Sequence, residues 1–437
     1  MDCRLWTADF FHRFAASNFL ILASLNSDII IAGAGPAGAT ASLFLCKEKI
    51  PHVIIDKAKF PRDKICGDAL SGKVVEVLNK LDPSLVDKLY NDPALFLGSY
   101  GVKFAAPNSN YIDIPFKTDH LSQLKHAPGF IAKRIHFDHF LFQQIDRQYA
   151  TIIEEAAITE INYTDEGVNI YYEQAGEKKT ASCKLLIGAE GDRSIVARKL
   201  AHHNMEPEHY CAGLRAYYTG VKNFHPQDFI ELHFIKELLP GYLWVFPLPN
   251  GEANVGVGML SKAASKKKIN LKQTMLKAIA ENPTIKDRFK DAELIGEIKG
   301  WGLPLGSKKR KISGKNFMLT GDAASLIDPF TGEGIGNAMM SGMIAAVHAK
   351  RALQENRFDE KAMAAYDEDI YKCLWDELKL SHKLQKLTNY GWLFNFVVDK
   401  AAKSETLRNT LTAMLDSLEI RSKLRDPWRY VKLIFRY

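Results

Sequence analysis

The stretch Gly33-Ala34-Gly35-Pro36-Ala37-Gly38 limits the fold of this chain more than any other. It follows Asp28-Ile29-Ile30-Ile31, a short apolar run suited to a buried parallel strand, and precedes Ala39-Thr40-Ala41-Ser42-Leu43-Phe44-Leu45, which reads as a helix. The glycines therefore fall at a strand-to-helix turn. Gly33 permits the tight turn, Gly35 lets a pyrophosphate approach the backbone, and Gly38 lets the helix pack closely on the strand. Pro36, followed by Ala37, suits the first helical turn, where a missing N–H costs nothing. Phosphate oxygens placed there face the free N–H groups of the helix. A second apolar run, His52-Val53-Ile54-Ile55, ends in Asp56, an acid at the distance of about twenty residues where a ribose hydroxyl is bound. Strand, helix and acid together read as a βαβ dinucleotide unit.

Far along the chain, Phe317-Met318-Leu319-Thr320 reads as another strand and leads into Gly321-Asp322-Ala323-Ala324. The two glycine stretches look like halves of one site, and the pairing points to non-covalent FAD rather than NAD alone. A single GxGxxG leaves no separate NAD(P)H domain, so NAD(P)H is expected to bind transiently as the reductant.

Composition sets outer limits. The 437 residues, 46% hydrophobic and 25% charged, supply enough material for two or three cooperating lobes. Fifty-eight basic against fifty-one acidic residues give a net charge of +7. That surplus suits anionic cofactors or lipid head groups but forms no basic stripe of the kind nucleic acid requires. The six cysteines show no CxxC pair, which suggests neither a zinc site nor a disulfide framework and fits a reducing cytoplasm. His202-His203 has no partner at metal-binding spacing, so no metal is assigned. In residues 1–27, Arg4, His12 and Arg13 precede an apolar run from Phe14 to Leu25 that resembles a weak signal-peptide core and is too short to span a bilayer. This extension is expected to be dispensable, with contact to a membrane surface as the alternative.

The texture changes after about residue 90. Gly101-Val102-Lys103-Phe104, Tyr111-Ile112-Asp113-Ile114, Val168-Asn169-Ile170-Tyr171-Tyr172, Glu231-Leu232-His233-Phe234 and Tyr242-Leu243-Trp244-Val245-Phe246 read as strands of a sheet-rich insertion. Helical texture returns after Gly334, where Tyr366, Ile370, Leu374 and Leu378 step by four and predict an apolar stripe.

The run Asp56-Lys57-Ala58-Lys59-Phe60-Pro61-Arg62-Asp63-Lys64-Ile65-Cys66-Gly67-Asp68-Ala69-Leu70-Ser71 resembles the segment after the second strand in the geranylgeranyl reductase family, within the flavoprotein superfamily typified by para-hydroxybenzoate hydroxylase. The likeness covers about residues 27 to 420. It implies that Lys57 belongs to the cofactor site and that Cys66 and Gly67 lie beside the flavin ring. Arg134-Ile135-His136-Phe137-Asp138-His139-Phe140-Leu141 resembles a second family element and assigns Arg134 to the cofactor. Gly188-Ala189-Glu190-Gly191-Asp192-Arg193-Ser194 is similar to a Gly-Ala-Asp-Gly-x-x-Ser segment, with Glu190 in place of the aspartate and Gly191 following. By the same likeness Gly321 and Asp322 bind flavin hydroxyls, which need an acceptor. The loop Asp328-Pro329-Phe330-Thr331-Gly332-Glu333-Gly334-Ile335-Gly336-Asn337 is expected to run close under the isoalloxazine, with the helix start near Gly334, Ile335 and Gly336 aiming its positive end at the pyrimidine edge.

Tyr242-Leu243-Trp244-Val245-Phe246-Pro247, followed by Gly256-Val257-Gly258, resembles the Tyr-x-Trp-x-Phe-Pro signature of geranylgeranyl reductases. Tyr242, Trp244 and Phe246 alternate, so all three face one side of the strand, either as plain sheet core or as an apolar wall for an isoprenoid chain. Cys66 is either a proton donor or relay, or a small residue that lets the flavin approach.

The expected fold is mixed α/β (α+β). A Rossmann-like FAD-binding domain is built from residues 27–100, 130–200 and 300–355, an antiparallel substrate-binding sheet from 101–129 and 201–299, and a helical region from 356–437. The expected activity is reduction of C=C bonds in a geranylgeranyl-like or lipid substrate by hydride from reduced flavin. A monooxygenase or epoxidase using oxygen, a halogenase and a non-catalytic flavin-binding lipid carrier stay open. Lys308-Lys309-Arg310-Lys311 reads as a phosphate or membrane contact or as a solvated turn, and Trp428–Tyr437 as an interfacial anchor or a docked helix. A cytoplasmic protein with peripheral membrane contact follows from these readings.

Overall fold

The structure, a computed structural model, describes residues 25–116 and 126–416. The expectations for the apolar run before Leu25 and for Trp428–Tyr437 lie outside the described residues.

Leu25–Ala32 sits between two parallel neighbours, Glu177–Gly188 and His52–Ile55. Ile29, Ile30 and Ile31 are wholly buried, the reason this strand reads as a continuous apolar run and not as an alternation. It is already strand at Leu25, the first described residue, ahead of the expected Asp28, because the long partner strand offers it ladder positions there, Leu25 pairing with Ala181. The sheet runs Ser313–Gly314, Phe317–Leu319, Glu177–Gly188, Leu25–Ala32, His52–Ile55, Ala150–Ile153. Every pair along it is parallel except the first. The register aligns Ala32 with Gly188 and Gly188 with Leu319. Gly33, Ala189 and Thr320 therefore leave the sheet at one carboxyl edge, where open α/β sheets bind ligands.

Val168–Gln174, grouped by its texture with the strands of the insertion, instead joins this first sheet, within the 130–200 segment expected for the FAD-binding domain, as an antiparallel meander with Ala156–Tyr163 on Glu177–Gly188. Ala175 and Gly176, at φ 53° and 80°, fold it directly onto the next strand, and alternation alone does not say which sheet a hairpin joins.

The second sheet runs Glu293–Pro304, Tyr210–Thr219, Glu252–Leu260, Tyr242–Pro247, Ile230–His233, Gly101–Ala105, Tyr111–Pro115. It is antiparallel apart from Ile230–His233 against Gly101–Ala105. The chain thus enters it twice. A small sheet of Ala69–Leu70, Gly129–Ile131 and Leu97–Ser99, not foreseen from the sequence, starts just after Asp68.

Helix Ile335–Glu355 lies against helix Pro36–Lys47 so closely that a Cβ on Gly342 would stand 2.2 Å from the Ala37 carbonyl oxygen. Helix Glu360–Leu387 buries Tyr366, Ile370, Leu374 and Leu378 as their spacing predicts. Each contributes about 1.5–3 kcal/mol of apolar burial. Among the described residues no helix is long and apolar enough to cross a membrane.

Candidate functional site

The turn after the first strand is built as its glycines require. Gly33 adopts φ +96° and lies so close to the next crossover that a Cβ would meet the Ala189 oxygen at 2.6 Å; a Cβ on Gly38 would meet the Gly33 oxygen at 1.8 Å. Gly35 precedes Pro36 as the cap of the helix and has no side-chain partner, so the first helical N–H groups face outward. Asp56 accepts from the Ala34 N–H at 2.6 Å and the Ala58 N–H at 2.8 Å, which fixes its carboxylate beside the turn. Lys57 is exposed.

The second glycine stretch meets the first. Gly321, at φ +56°, places its Cα where an added Cβ would lie 3.3 Å from the Ala37 Cβ and 3.0 Å from the Ala338 Cβ. Its N–H donates to Ser341 Oγ at 2.9 Å. Burial raises the pKa of Asp322, and the charges of Lys64 and Arg134 oppose the rise. Asp322 Oδ1 stands 3.7 Å from the Cβ position of Gly334. Gly332 is left-handed at φ +73°, and Tyr242 donates its hydroxyl hydrogen to the Thr331 oxygen. At the start of the Ile335–Glu355 helix, Glu333 Oε1 accepts from the Gly336 N–H at 2.6 Å and from Ser71 Oγ at 3.0 Å. One of the free N–H groups expected to face a ligand is therefore held by Glu333.

The segment after Asp56 wraps over this edge. Arg134 is buried and forks onto Asp138, Nε to Oδ1 at 2.6 Å and Nη2 to Oδ2 at 2.7 Å. Arg62 Nη1 shares Asp138 Oδ2 at 2.7 Å. Burial works against the Arg134 charge, and the Asp138 carboxylate more than restores it. The Arg134 charge also interacts electrostatically with Cys66. The Nη2 of Arg62 lies 3.5 Å from the Cβ position of Gly35, so a cation overhangs the glycine turn. Lys64, its pKa lowered by burial and held back by Asp322, stacks its ammonium 4.4 Å from the Trp301 ring centre.

Cys66-Gly67-Asp68 packs directly on the aromatic strand. A Cβ on Gly67 would lie 3.1 Å from the Phe246 ring and 3.6 Å from Trp244 Nε1. Tyr242, Trp244 and Phe246 share one side, with neighbouring ring centres 6.3 Å apart. The register sets Trp244 opposite Gly256 and Tyr242 opposite Gly258. A Cβ on Gly256 would meet the indole at 2.2 Å, so the second GxG exists to let Trp244 lie across the neighbouring strand. Phe234, Phe330 and Phe394 continue the apolar surface, with Phe234 4.3 Å from Phe394 and 5.9 Å from Phe330.

Glu190, which the likeness assigns to the cofactor site, is engaged by the helix that follows it. Its carboxylate accepts from Ser194 Oγ at 2.7 Å, Ile195 N at 3.1 Å and Val196 N at 3.2 Å, so it caps helix Ile195–Lys199. The extra methylene relative to aspartate lets the carboxylate curl back onto the following helix. Gly191 stays at φ +79° with no atom near its Cβ position. Sequence reasoning singled out neither Arg62 nor Lys64, although both lie in the run it quoted. It also passed over Asp68 and Asn254. Asn254 carried a readable signal, a polar residue opposite Phe246 on a strand that beyond its first residue, Glu252, is otherwise made of small and apolar side chains.

Comparison with known proteins settles the cofactor. Residues 26–376, well over half of the chain, match the FAD binding domain family model. The chain belongs to this FAD-binding family. It is 28% identical over 375 residues to the digeranylgeranylglycerophospholipid reductase of Methanococcus vannielii, covering 83% of this chain and 87% of that one. It is also 28% identical over 327 residues to the menaquinone reductase of Mycolicibacterium smegmatis, covering 73% and 75%. A geranylgeranyl bacteriochlorophyll reductase-like protein from Thermoplasma acidophilum superposes with a TM-score of 0.78 at 22% identity, over 92% of this chain and 99% of that chain. A flavin-dependent brominase superposes with a TM-score of 0.72 at 21% identity, over 90% and 93%. These two structural likenesses establish a common fold.

The residues present fit FAD. A dinucleotide needs a turn stripped of Cβ atoms, a cation over it and carboxylates for its hydroxyls. Gly33, Gly35 and Gly38, then Arg62, then Asp56 and Asp322 supply these at one sheet edge.

Proposed function

We propose that the protein is an FAD-dependent reductase of C=C bonds in a geranylgeranyl-like or other prenyl lipid. The observation that carries this reading is the contact of the Cys66–Gly67 loop with Trp244 and Phe246, because it sets a thiol and an aromatic wall side by side. The reductase names of the prenyl-lipid and menaquinone relatives support it.

Gly33, Gly35, Pro36, Ala37 and Gly38, with Arg62 above them, would hold the pyrophosphate of FAD, and Asp56 and Asp322 would accept from its hydroxyls. Lys57, Gly191, Gly332, Gly334, Ile335 and Gly336 line the remaining edge. Reduced FAD supplies hydride to one carbon of the double bond when bound, and NAD(P)H, arriving transiently, is the reductant that restores it.

The protein supplies the rest. An isolated trisubstituted alkene has no carbonyl to take up negative charge, so proton delivery leads and the more substituted carbon becomes electron-poor. The faces of Tyr242, Trp244 and Phe246 stabilise that carbon by about 0.5–2 kcal/mol each. Burial raises the pKa of the Tyr242 hydroxyl, which keeps it protonated and tied to Thr331. Cys66 delivers the proton, and Arg134 places a fixed positive charge where negative charge develops on the sulfur. The same wall excludes water from the reacting carbons.

The purified protein is to be reduced anaerobically and offered prenyl lipids one at a time. Reoxidation by a lipid with internal double bonds, with a gain of two hydrogens per bond in its mass, is the expected result. Reoxidation by oxygen alone with a hydroxylated product would make it a monooxygenase, halide-dependent product a halogenase, and a flavin that no donor reduces a carrier.

A further inference from the structure

Asn254 is wholly buried in the middle of strand Glu252–Leu260, opposite Phe246. A buried amide is costly unless both of its ends are satisfied. Here each end is committed. Its Oδ1 accepts from Trp244 Nε1 at 2.8 Å. Its Nδ2 donates to the Cys66 carbonyl oxygen at 2.8 Å and to Asp68 Oδ2 at 2.8 Å.

Asp68 is equally committed. It is fully buried at φ +68°, Oδ2 also accepting from the Tyr217 hydroxyl at 2.7 Å and Oδ1 from the Arg134 N–H at 3.3 Å. Its own oxygen accepts from the Ala132 N–H at 3.0 Å. The left-handed backbone is a conformation a non-glycine residue holds only when its surroundings impose it. The Asn254 amide bridges the residue before Gly67 and the residue after it through its one Nδ2 group. Gly67 itself is pressed on Trp244 and Phe246.

We propose that Asn254 is a positioning residue that locks the Cys66 backbone to the Trp244 indole, so that the thiol and the aromatic wall hold one relative placement. The proposal deepens the reductase reading and rests on it for the roles of Cys66 and Trp244. Neither aspartate nor leucine does this at position 254. Aspartate keeps an acceptor for the indole but turns a carboxylate against the Cys66 carbonyl and Asp68. Leucine matches the volume and satisfies none of the three partners.

The test is the rate at which iodoacetamide alkylates Cys66, followed by peptide mass spectrometry in folded, FAD-loaded protein well below its melting temperature. Loss of one buried hydrogen bond corresponds to about five-fold in an equilibrium. Asn254→Asp is expected to raise the Cys66 rate by about that factor or more while FAD content and far-ultraviolet dichroism stay as in the parent. Should that variant fail to fold, Trp244→Phe tests the other end of the clamp, because it keeps an aromatic ring while removing the indole N–H together with the second ring. It is expected to speed Cys66 alkylation although it lies on another strand, and the double variant to add nothing further. A Cys66 rate unchanged in the folded variants, with only thermal stability lowered, would reduce Asn254 to a packing residue and overturn the proposal. Failure of the reductase reading is separately visible, since prenyl lipids would then leave the reduced flavin unoxidised while the alkylation response persisted.

Discussion

Gly35 and Gly38 share one turn and answer to different constraints. A Cβ on Gly38 would collide with backbone, the Gly33 carbonyl, at 1.8 Å. Gly38→Ala must push the helix off the strand and is expected to cost at least about 1–3 kcal/mol, read as a lower urea midpoint. A Cβ on Gly35 meets only Arg62 Nη2 at an ordinary 3.5 Å, so the apoprotein tolerates it. The methyl group would instead stand where the phosphates approach. Gly35→Ala is therefore expected to keep the parent's urea midpoint without flavin and to bind FAD about tenfold or more weakly, ~1.4 kcal/mol, in a flavin fluorescence titration. Equal FAD affinity would remove Gly35 from the phosphate site. Both glycines were legible because their constraint is local. Arg62 was not, since its place over the turn depends on Asp138, which folds back from another helix.

At the scale of elements, the second sheet is fastened by a buried ion pair. Glu231, on strand Ile230–His233, accepts from Arg288 Nη1 at 2.5 Å and Nη2 at 2.9 Å and lies 3.1 Å from His233 Nε2. Burial alone would raise its pKa, but the hydrogen bonds from His233 and Arg288 outweigh it and hold the carboxyl at about 2, below its ordinary 4.5. The folded pKa is thus below the unfolded one. Its contribution to stability is complete above about 4.5 and is lost as pH falls towards 2. Glu231→Gln is expected to flatten the acid limb of stability in that window. Arg288→Met strands a buried charge and is expected to cost about 3–5 kcal/mol at pH 7, measured by denaturant unfolding. An unchanged midpoint in Arg288→Met would mean the pair holds nothing. Sequence reading found the strand from its alternation but took no notice of Glu231 as charged core, because its partner lies in a short helical turn after helix Leu271–Glu281.

Over the whole molecule, one sheet edge gathers segments from the first strand to the helix at Ile335, and FAD held there as proposed would join them. A ligand at a hundred times its dissociation constant adds about 2.7 kcal/mol to the folded state. Flavin-stripped protein is therefore expected to melt about 3 °C below the loaded form in a thermal scan, and to recover on adding FAD. Identical melting curves would place FAD outside the structural edge described. By itself the sequence determined the parts whose requirement is short-range: the Gly33–Gly38 turn, the acid at Asp56, the alternating aromatics of Tyr242–Pro247 and the stripe on Glu360–Leu387. Each is written in residue type and spacing within one element, where steric and periodic rules act directly. Only the tertiary structure decided that Gly321 touches Ala37, that Glu190 caps a helix, and that Asn254 ties Trp244 to the Cys66 loop. Those outcomes depend on sheet register and on packing between distant segments, and no local pattern of residues carries that information.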